Sequence, residues 1–81
     1  MAARTVANDL AIEIEEQLRP VIGTVLATVS VDVETKRIGK DPDTVDRTDV
    51  PTIADNLVTA LRLVLGQELA EAAARKVRAL A

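Results

Sequence analysis

The amino-acid sequence predicts an all-α protein: an antiparallel hairpin of two long helices that pairs with a second copy as a homodimeric four-helix bundle. Two long stretches place Leu, Ile and Val at helical spacing, and a turn-rich acidic segment separates them. Hydrophobic residues make up 48% of only 81 residues. A chain this short buries too little surface to cover that many aliphatic side chains alone, so we expect subunits to share one core.

The first predicted helix carries one apolar stripe. Successive helical positions rotate by about 100°, which brings the stripe within a single arc. Pro20 is a candidate kink, because the preceding Arg19 is pushed away from helical angles. Lys36 and Arg37 followed by Gly39 are typical of a helix C-terminus. The stripe consists of Leu10, Ile14, Leu18, Val21, Ile22, Val25, Leu26, Val29 and Val33.

A strand across residues 21–37 is the alternative, and it would make the fold α+β. Nine of the fifteen residues from 21 to 35 are Val, Ile or Thr, which favour strands. Positions 28–36 also alternate in the manner of a half-buried strand. The length of the stripe and its C-terminal signals favour the helix.

Residues 39–51, with the sequence GKDPDTVDRTDVP, predict an acidic interhelical loop. The second helix is expected over about 52–80. Asp49 or Thr52 is its expected N-cap, with Asp55 in the capping-box position.

The second helix changes its apolar face at Gly66. This predicts either a bend or break there, or a straight helix whose halves contact different neighbours. We find no convincing internal repeat and expect residues 1–81 to form a single helical domain. The first face holds Ile53, Ala54, Leu57, Val58, Leu61, Val64 and Leu65, and the second holds Leu69, Ala73, Val77 and Leu80.

These two apolar patterns give the expected contact residues. A homo-oligomer would bury most of the two main faces, and a larger protein partner would use the face beyond Gly66. The expected oligomer interface is Leu10, Ile14, Leu18, Ile22, Val25, Val29, Val33, Leu57, Leu61, Val64 and Leu65. The expected partner contact is Leu69, Ala73, Val77 and Leu80.

The missing residue types argue against chemistry. The chain has no His, Cys, Phe, Trp or Tyr, so no imidazole base or thiol nucleophile is present, and we expect no enzyme, cofactor or metal. The acids in the loop do not follow the calcium-loop pattern, and we expect a solvated acidic turn. Those acids are Asp41, Asp43, Asp46 and Asp49.

Charged residues also fall on or near the apolar faces. Glu15, Asp32 and Lys36 lie within the arc of the first helix and are candidates for buried, paired charges. Arg75, Lys76 and Arg78 form a basic cluster that nearby acids partly neutralise. With a net charge of −3 and no aromatic stacking residue, we expect no nucleic-acid partner.

The expected location is the cytoplasm. Residues 1–4 lead into a polar segment rather than into the apolar core of a signal peptide. The longest uncharged run is too short to cross a bilayer.

The leading functional hypothesis is a non-enzymatic oligomerisation module that acts as a scaffold or adaptor. One alternative is a small dimeric transcriptional regulator or antitoxin-like protein. Another is a structural component of a viral or cellular assembly that orders when it docks.

Overall fold

The computed structural model describes residues 8–81. Within that range the all-α prediction is confirmed, and the alternative strand across 21–37 is wrong because this segment is helical without a strand. The expectation made from residues 1–4 lies outside the described range. The helices are α1 (Asp9–Ile22), α2 (Thr24–Arg37), α3 (Val50–Leu65) and α4 (Gln67–Arg78), with a 3-10 turn at Arg47–Asp49.

Residues 8–81 therefore contain four α-helices, where the sequence predicted two long ones. The first predicted helix is divided at Gly23 and not at Pro20, which lies inside α1. Gly23 adopts a φ of 83° and is both the C-cap of α1 and the N-cap of α2. Its N–H donates to the Arg19 carbonyl (2.8 Å), and its carbonyl accepts from the Ala27 N–H (3.0 Å).

Gly66 divides the second predicted helix in the same way. Its φ is 88°, its N–H donates to the Arg62 carbonyl (2.9 Å), and its carbonyl accepts from the Ala70 N–H (3.2 Å). Of the two alternatives offered by the face switch, the structure has the break. Single glycines thus end one helix and begin the next at two places.

The end of α2 follows the sequence signals closely. The Lys40 N–H donates to the Thr35 carbonyl (2.9 Å) and the Gly39 N–H to the Lys36 carbonyl (3.0 Å), with Gly39 at a φ of 80°. This hydrogen-bond pair is the Schellman motif. The predicted helix end is confirmed.

The start of α3 differs from its prediction. Asp49 is the N-cap residue of α3, one of the two predicted, but its side chain accepts no hydrogen bond from that helix. The capping side chain is that of Asp46, which accepts from the Thr48 N–H (2.8 Å), while Asp49 accepts from the Asp46 N–H (2.9 Å). This reciprocal pair caps the 3-10 turn, which continues directly into α3. The helix therefore begins a few residues earlier than the sequence suggested.

The helices pack as two pairs, which we call the first helix pair (α1 and α2) and the second helix pair (α3 and α4). The pairs meet where α1 contacts α4 and where α2 contacts α3. One aliphatic core lies between them. Its members are Leu10, Ala11, Ile14, Leu18, Ala27, Val31, Val45, Val50, Ile53, Ala54, Leu57, Leu61, Ala70, Ala73, Ala74 and Val77.

The two helix pairs are copies of one pattern, which corrects the expectation of no internal repeat. When Gly23 is aligned with Gly66, LRPVIGTVLA (18–27) matches LRLVLGQELA (61–70). Eight buried positions coincide between the two pairs, whereas Thr35 is buried and its counterpart Arg78 is exposed. The first helix of each pair contacts the second helix of the same pair and that of the other pair. The matched buried residues are Leu10 with Ile53, Ala11 with Ala54, Ile14 with Leu57, Leu18 with Leu61, Ala27 with Ala70, Ser30 with Ala73, Val31 with Ala74 and Glu34 with Val77.

Candidate assembly surface

The structure divides the predicted oligomer interface between the interior and the surface. Part of it lies in the chain's own core, and the rest remains open to solvent. The buried residues are Leu10, Ile14, Leu18, Leu57 and Leu61; the partly buried ones are Ile22 and Leu65; the exposed ones are Val25, Val29, Val33 and Val64. A surface for a second copy must therefore come from the exposed set.

The break at Gly23 explains this division. Along α1 the predicted stripe faces the core, but the rotation between helices at Gly23 turns α2 so that a different face is buried. That face includes Ala27, Val31 and Glu34. The continuation of the stripe along α2 consequently faces solvent.

Three valines form the exposed stripe, which we call the α2 valine face. Val25, Val29 and Val33 follow one another at intervals of four residues, and their exposed fractions are 78%, 47% and 42%. Beside them, Lys36 Nζ lies 3.2 Å from Asp32 Oδ2. Asp32 and Lys36 thus form an i,i+4 ion pair with no net charge, and Arg37, which follows Val33 by four residues, is paired with Glu34.

The second helix pair supplies an internal comparison for this face. The residues of α4 that match Val25, Val29 and Val33 are Glu68, Ala72 and Lys76. In the same structural position, α4 carries Glu, Ala and Lys, whereas α2 carries β-branched aliphatics, which lower helix propensity and leave 42–78% of their surface exposed. The difference marks α2 as the helix with an uncovered apolar face.

The face predicted for a larger partner is mostly internal. Ala73 and Val77 are buried, Leu80 is partly buried, and Leu69 is half exposed. Leu69 lies with two more exposed aliphatics, Leu63 and Val64, close to Gly66 in the chain. We call Leu63, Val64 and Leu69 the Gly66 corner.

A buried carboxylate lies behind the α2 valine face, and the sequence analysis missed it. Glu34 is only 2% exposed, and its Oε1 accepts a 3.0 Å hydrogen bond from Arg37 Nε. The sequence pointed instead to Glu15, Asp32 and Lys36, which are partly or largely exposed. Position 34 matches Val77 of the second helix pair, which is one of the apolar residues of α4. This correspondence is the sequence signal that could have indicated that Glu34 is buried.

The acidic loop is held together by one cation. Lys40 Nζ lies 2.7 Å from Asp49 Oδ2 and 3.1 Å from Asp46 Oδ2. These hydrogen bonds, the one to Asp49 first, raise the pKa of Lys40 above its usual 10.5. Hydrogen bonding from the Thr48 hydroxyl, and then from Lys40, lowers the pKa of Asp46 from 3.8 to about 2.

Metal binding finds no geometric support in this loop. Within residues 8–81, no group of three or more acids is arranged to hold an ion. Asp46 and Asp49 use their oxygens for Lys40 and for backbone N–H groups. Asp46 and Asp49 therefore stabilise the turn that precedes α3.

The basic cluster near the C-terminus is also partly engaged. Arg78 Nη2 lies 2.7 Å from Asp55 Oδ1, which links α4 to α3. Arg75 and Lys76 are exposed on α4. None of the helices described is long and apolar enough to span a bilayer.

Comparison of the chain with protein-family models, with curated proteins and with solved structures finds no match.

Proposed function

We propose that this chain is a non-enzymatic self-association module, and that the α2 valine face is the surface through which it binds a second copy. The observation that carries the proposal is the exposed row of Val25, Val29 and Val33. Exposed apolar residues that line one face of a helix are typical of an interaction site. In this proposal the assembled particle acts as a scaffold.

A second copy fits this face because the face has no net charge. The whole chain carries a charge of −3, so two copies repel weakly at long range. At the face itself, Lys36 is paired with Asp32, and Arg37, the next residue of the same row, is paired with Glu34. The contact therefore brings aliphatic side chains together without burying an unpaired charge, which would be costly.

The size of the face predicts a reversible complex. Complete burial of a Val side chain contributes about 1.5–3 kcal/mol. Two copies bring six valines together, and because each is only partly exposed beforehand, their burial stabilises the complex by on the order of 5–10 kcal/mol. The loss of translational and rotational freedom on association costs about 4–15 kcal/mol. We therefore expect an equilibrium between monomer and dimer, and not a permanent assembly.

The test replaces the valine face with the surface of its structural counterpart. The double change Val25→Glu and Val33→Lys gives α2 the residues that α4 carries at Glu68 and Lys76. Both positions are exposed, and both new residues favour helices, so the monomer should fold normally. Sedimentation equilibrium from about 10 µM to about 1 mM, the range in which weak complexes dissociate, measures the result.

We expect the native chain to shift towards the dimer mass with concentration and the double variant to remain monomeric with an unchanged circular dichroism spectrum. Leu63→Glu is the control, because it removes an aliphatic residue of the Gly66 corner that is more exposed (87%) than either valine. This control should dimerise like the native chain. A native chain that is monomeric throughout the concentration range would refute the proposal.

A further inference from the structure

The exposure of the α2 valine face decreases along the helix. Val25 at the N-terminal end is 78% exposed, whereas Val33 near the C-terminal end is 42% exposed. A parallel pair of faces would place the two most exposed valines against each other and the two least exposed valines against each other. An antiparallel pair would place each most exposed valine against a least exposed one, which spreads the newly buried apolar surface evenly along the pair.

The helix dipoles favour the same arrangement. In a parallel pair the two positive N-termini of α2 are adjacent, as are the two negative C-termini, whereas an antiparallel pair places opposite ends together. Side-chain charges alter this little. Lys36 and Arg37 at the C-terminal end are each offset by an acid within α2, Asp32 and Glu34.

We propose that two copies of this chain pair antiparallel through α2, with a twofold axis that passes between Val29 and Val29 of the second copy. Val25 of each copy then contacts Val33 of the other. This inference rests on the proposed self-association and adds its geometry. A closed twofold contact limits the assembly to a dimer, because both valine faces are used.

The absence of cysteine from the sequence allows a direct test. Any cysteine that is introduced is the only thiol in the chain, and a disulfide requires Cα atoms about 4.4–6.8 Å apart. On the twofold axis, two copies of Val29→Cys satisfy this requirement. Two copies of Val25→Cys do not, because they lie eight helical positions apart along the pair, or about 12 Å.

The experiment compares disulfide formation under mild oxidation, at a concentration where the native chain is dimeric. Val29→Cys alone should cross-link, and an equimolar mixture of Val25→Cys and Val33→Cys should give the mixed dimer. Neither Val25→Cys nor Val33→Cys should cross-link alone. Val64→Cys, exposed but outside the face, gives the background, which we expect to be lower by about tenfold or more because a preformed contact has a millimolar effective concentration.

The outcomes separate the inference from the function on which it rests. Cross-linking of Val25→Cys with itself, in a chain whose mass remains dimeric, would overturn the antiparallel geometry and leave self-association intact. Background cross-linking at all three valines in a dimeric chain would also overturn the inference. A native chain that sediments as a monomer would refute the proposed function itself.

Discussion

At the scale of single residues, one ion pair of the first helix pair is replaced by aliphatic residues in the second. Glu34 and Arg37 of the first helix pair match Val77 and Leu80 of the second, so the same i,i+3 positions hold a salt bridge in one half and an aliphatic contact in the other. The Glu34 side chain is buried, while that of Arg37 is half exposed. The two partners therefore depend on the pair to different degrees.

We predict an asymmetric response to their removal. Arg37→Leu leaves a buried carboxylate without its hydrogen-bond donor and should lower the free energy of unfolding by about 1–3 kcal/mol. Glu34→Val leaves a guanidinium that solvent can reach, and it should be neutral or stabilising. The double variant copies Val77 and Leu80 and should be close to the native chain.

Urea unfolding of the four proteins measures this as a double-mutant cycle. Equal losses from the two single changes would contradict the prediction, because they would mean that the ion pair itself stabilises the fold.

Sequence reasoning located the apolar core residues better than the charged ones. Leu10, Ile14 and Leu18 were predicted on one face of a helix, and they are buried together. Glu34 was not predicted inside, because its position is polar in a helix whose apolar residues lie on two faces. Burial of such a residue depends on which face the tertiary structure selects.

At the scale of elements, the two dividing glycines have nearly the same backbone geometry. Gly23 has φ 83° and ψ 166°, and Gly66 has φ 88° and ψ 164°. This combination of angles is almost restricted to glycine. A Cβ built at either position meets no atom within 4 Å, so steric contact with neighbouring elements contributes nothing to the requirement for glycine.

We predict that Gly23→Ala and Gly66→Ala each lower the free energy of unfolding by about 1–3 kcal/mol through backbone strain alone. Gln67→Ala, at the exposed first position of α4, is the control and should change the value by less than about 0.5 kcal/mol. Chemical denaturation measures all three. Unchanged stability in both glycine variants would show that the helices do not join through this strained conformation.

The helical fold was predictable, but the number of helices was not. The C-terminal signals at Lys36, Arg37 and Gly39 outweighed the β-branched content of α2, as the Schellman motif confirms. The break at Gly23 escaped prediction because the apolar residues before and after it fall on one arc when the helix is drawn as continuous. Only the tertiary structure reveals that α2 is rotated and that its valines face outwards.

At the scale of the whole molecule, the repeat of the two helix pairs is present in the sequence, but it becomes visible only when Gly23 is aligned with Gly66. The matched segments share Leu, Arg, Val, Gly and Ala at the same spacing. The outer faces of α2 and α4 differ, since Val25 and Val33 occupy positions that are Glu68 and Lys76 in α4. Because of this difference, the outer face of α2 is a candidate interface, whereas that of α4 is an ordinary solvent-facing surface.

The loop between the two helix pairs also ties the ends of the described chain together. Asn8 Nδ2 donates to the Val45 carbonyl (2.7 Å), and Arg47 Nη1 donates to the Leu80 carbonyl (2.6 Å). Arg47 Nη2 also lies 3.3 Å from Glu13 Oε2. Any change that loosens the loop should therefore act on α1 and α4 as well as on α3.

We predict that this loop makes the stability sensitive to acid. The pKa of Asp46 is lowered in the folded chain from 3.8 to about 2, so the folded state binds the proton less readily than the unfolded state. The resulting stabilisation is complete above about pH 4 and is lost as the pH falls to about 2. Asp46→Asn keeps an oxygen for the Thr48 N–H but removes the charge that Lys40 contacts.

Urea unfolding of both proteins at pH 6, 4, 3 and 2 tests this. The native chain should be more stable than Asp46→Asn at pH 6, and the difference should disappear by about pH 2, because protonation then removes the charge from the native chain too. Asp43→Asn is the control for net charge, since Asp43 is exposed and makes no hydrogen bond or ion pair within residues 8–81. A difference between native and Asp46→Asn that stays constant with pH would mean that the Asp46 carboxylate acts only as a cap.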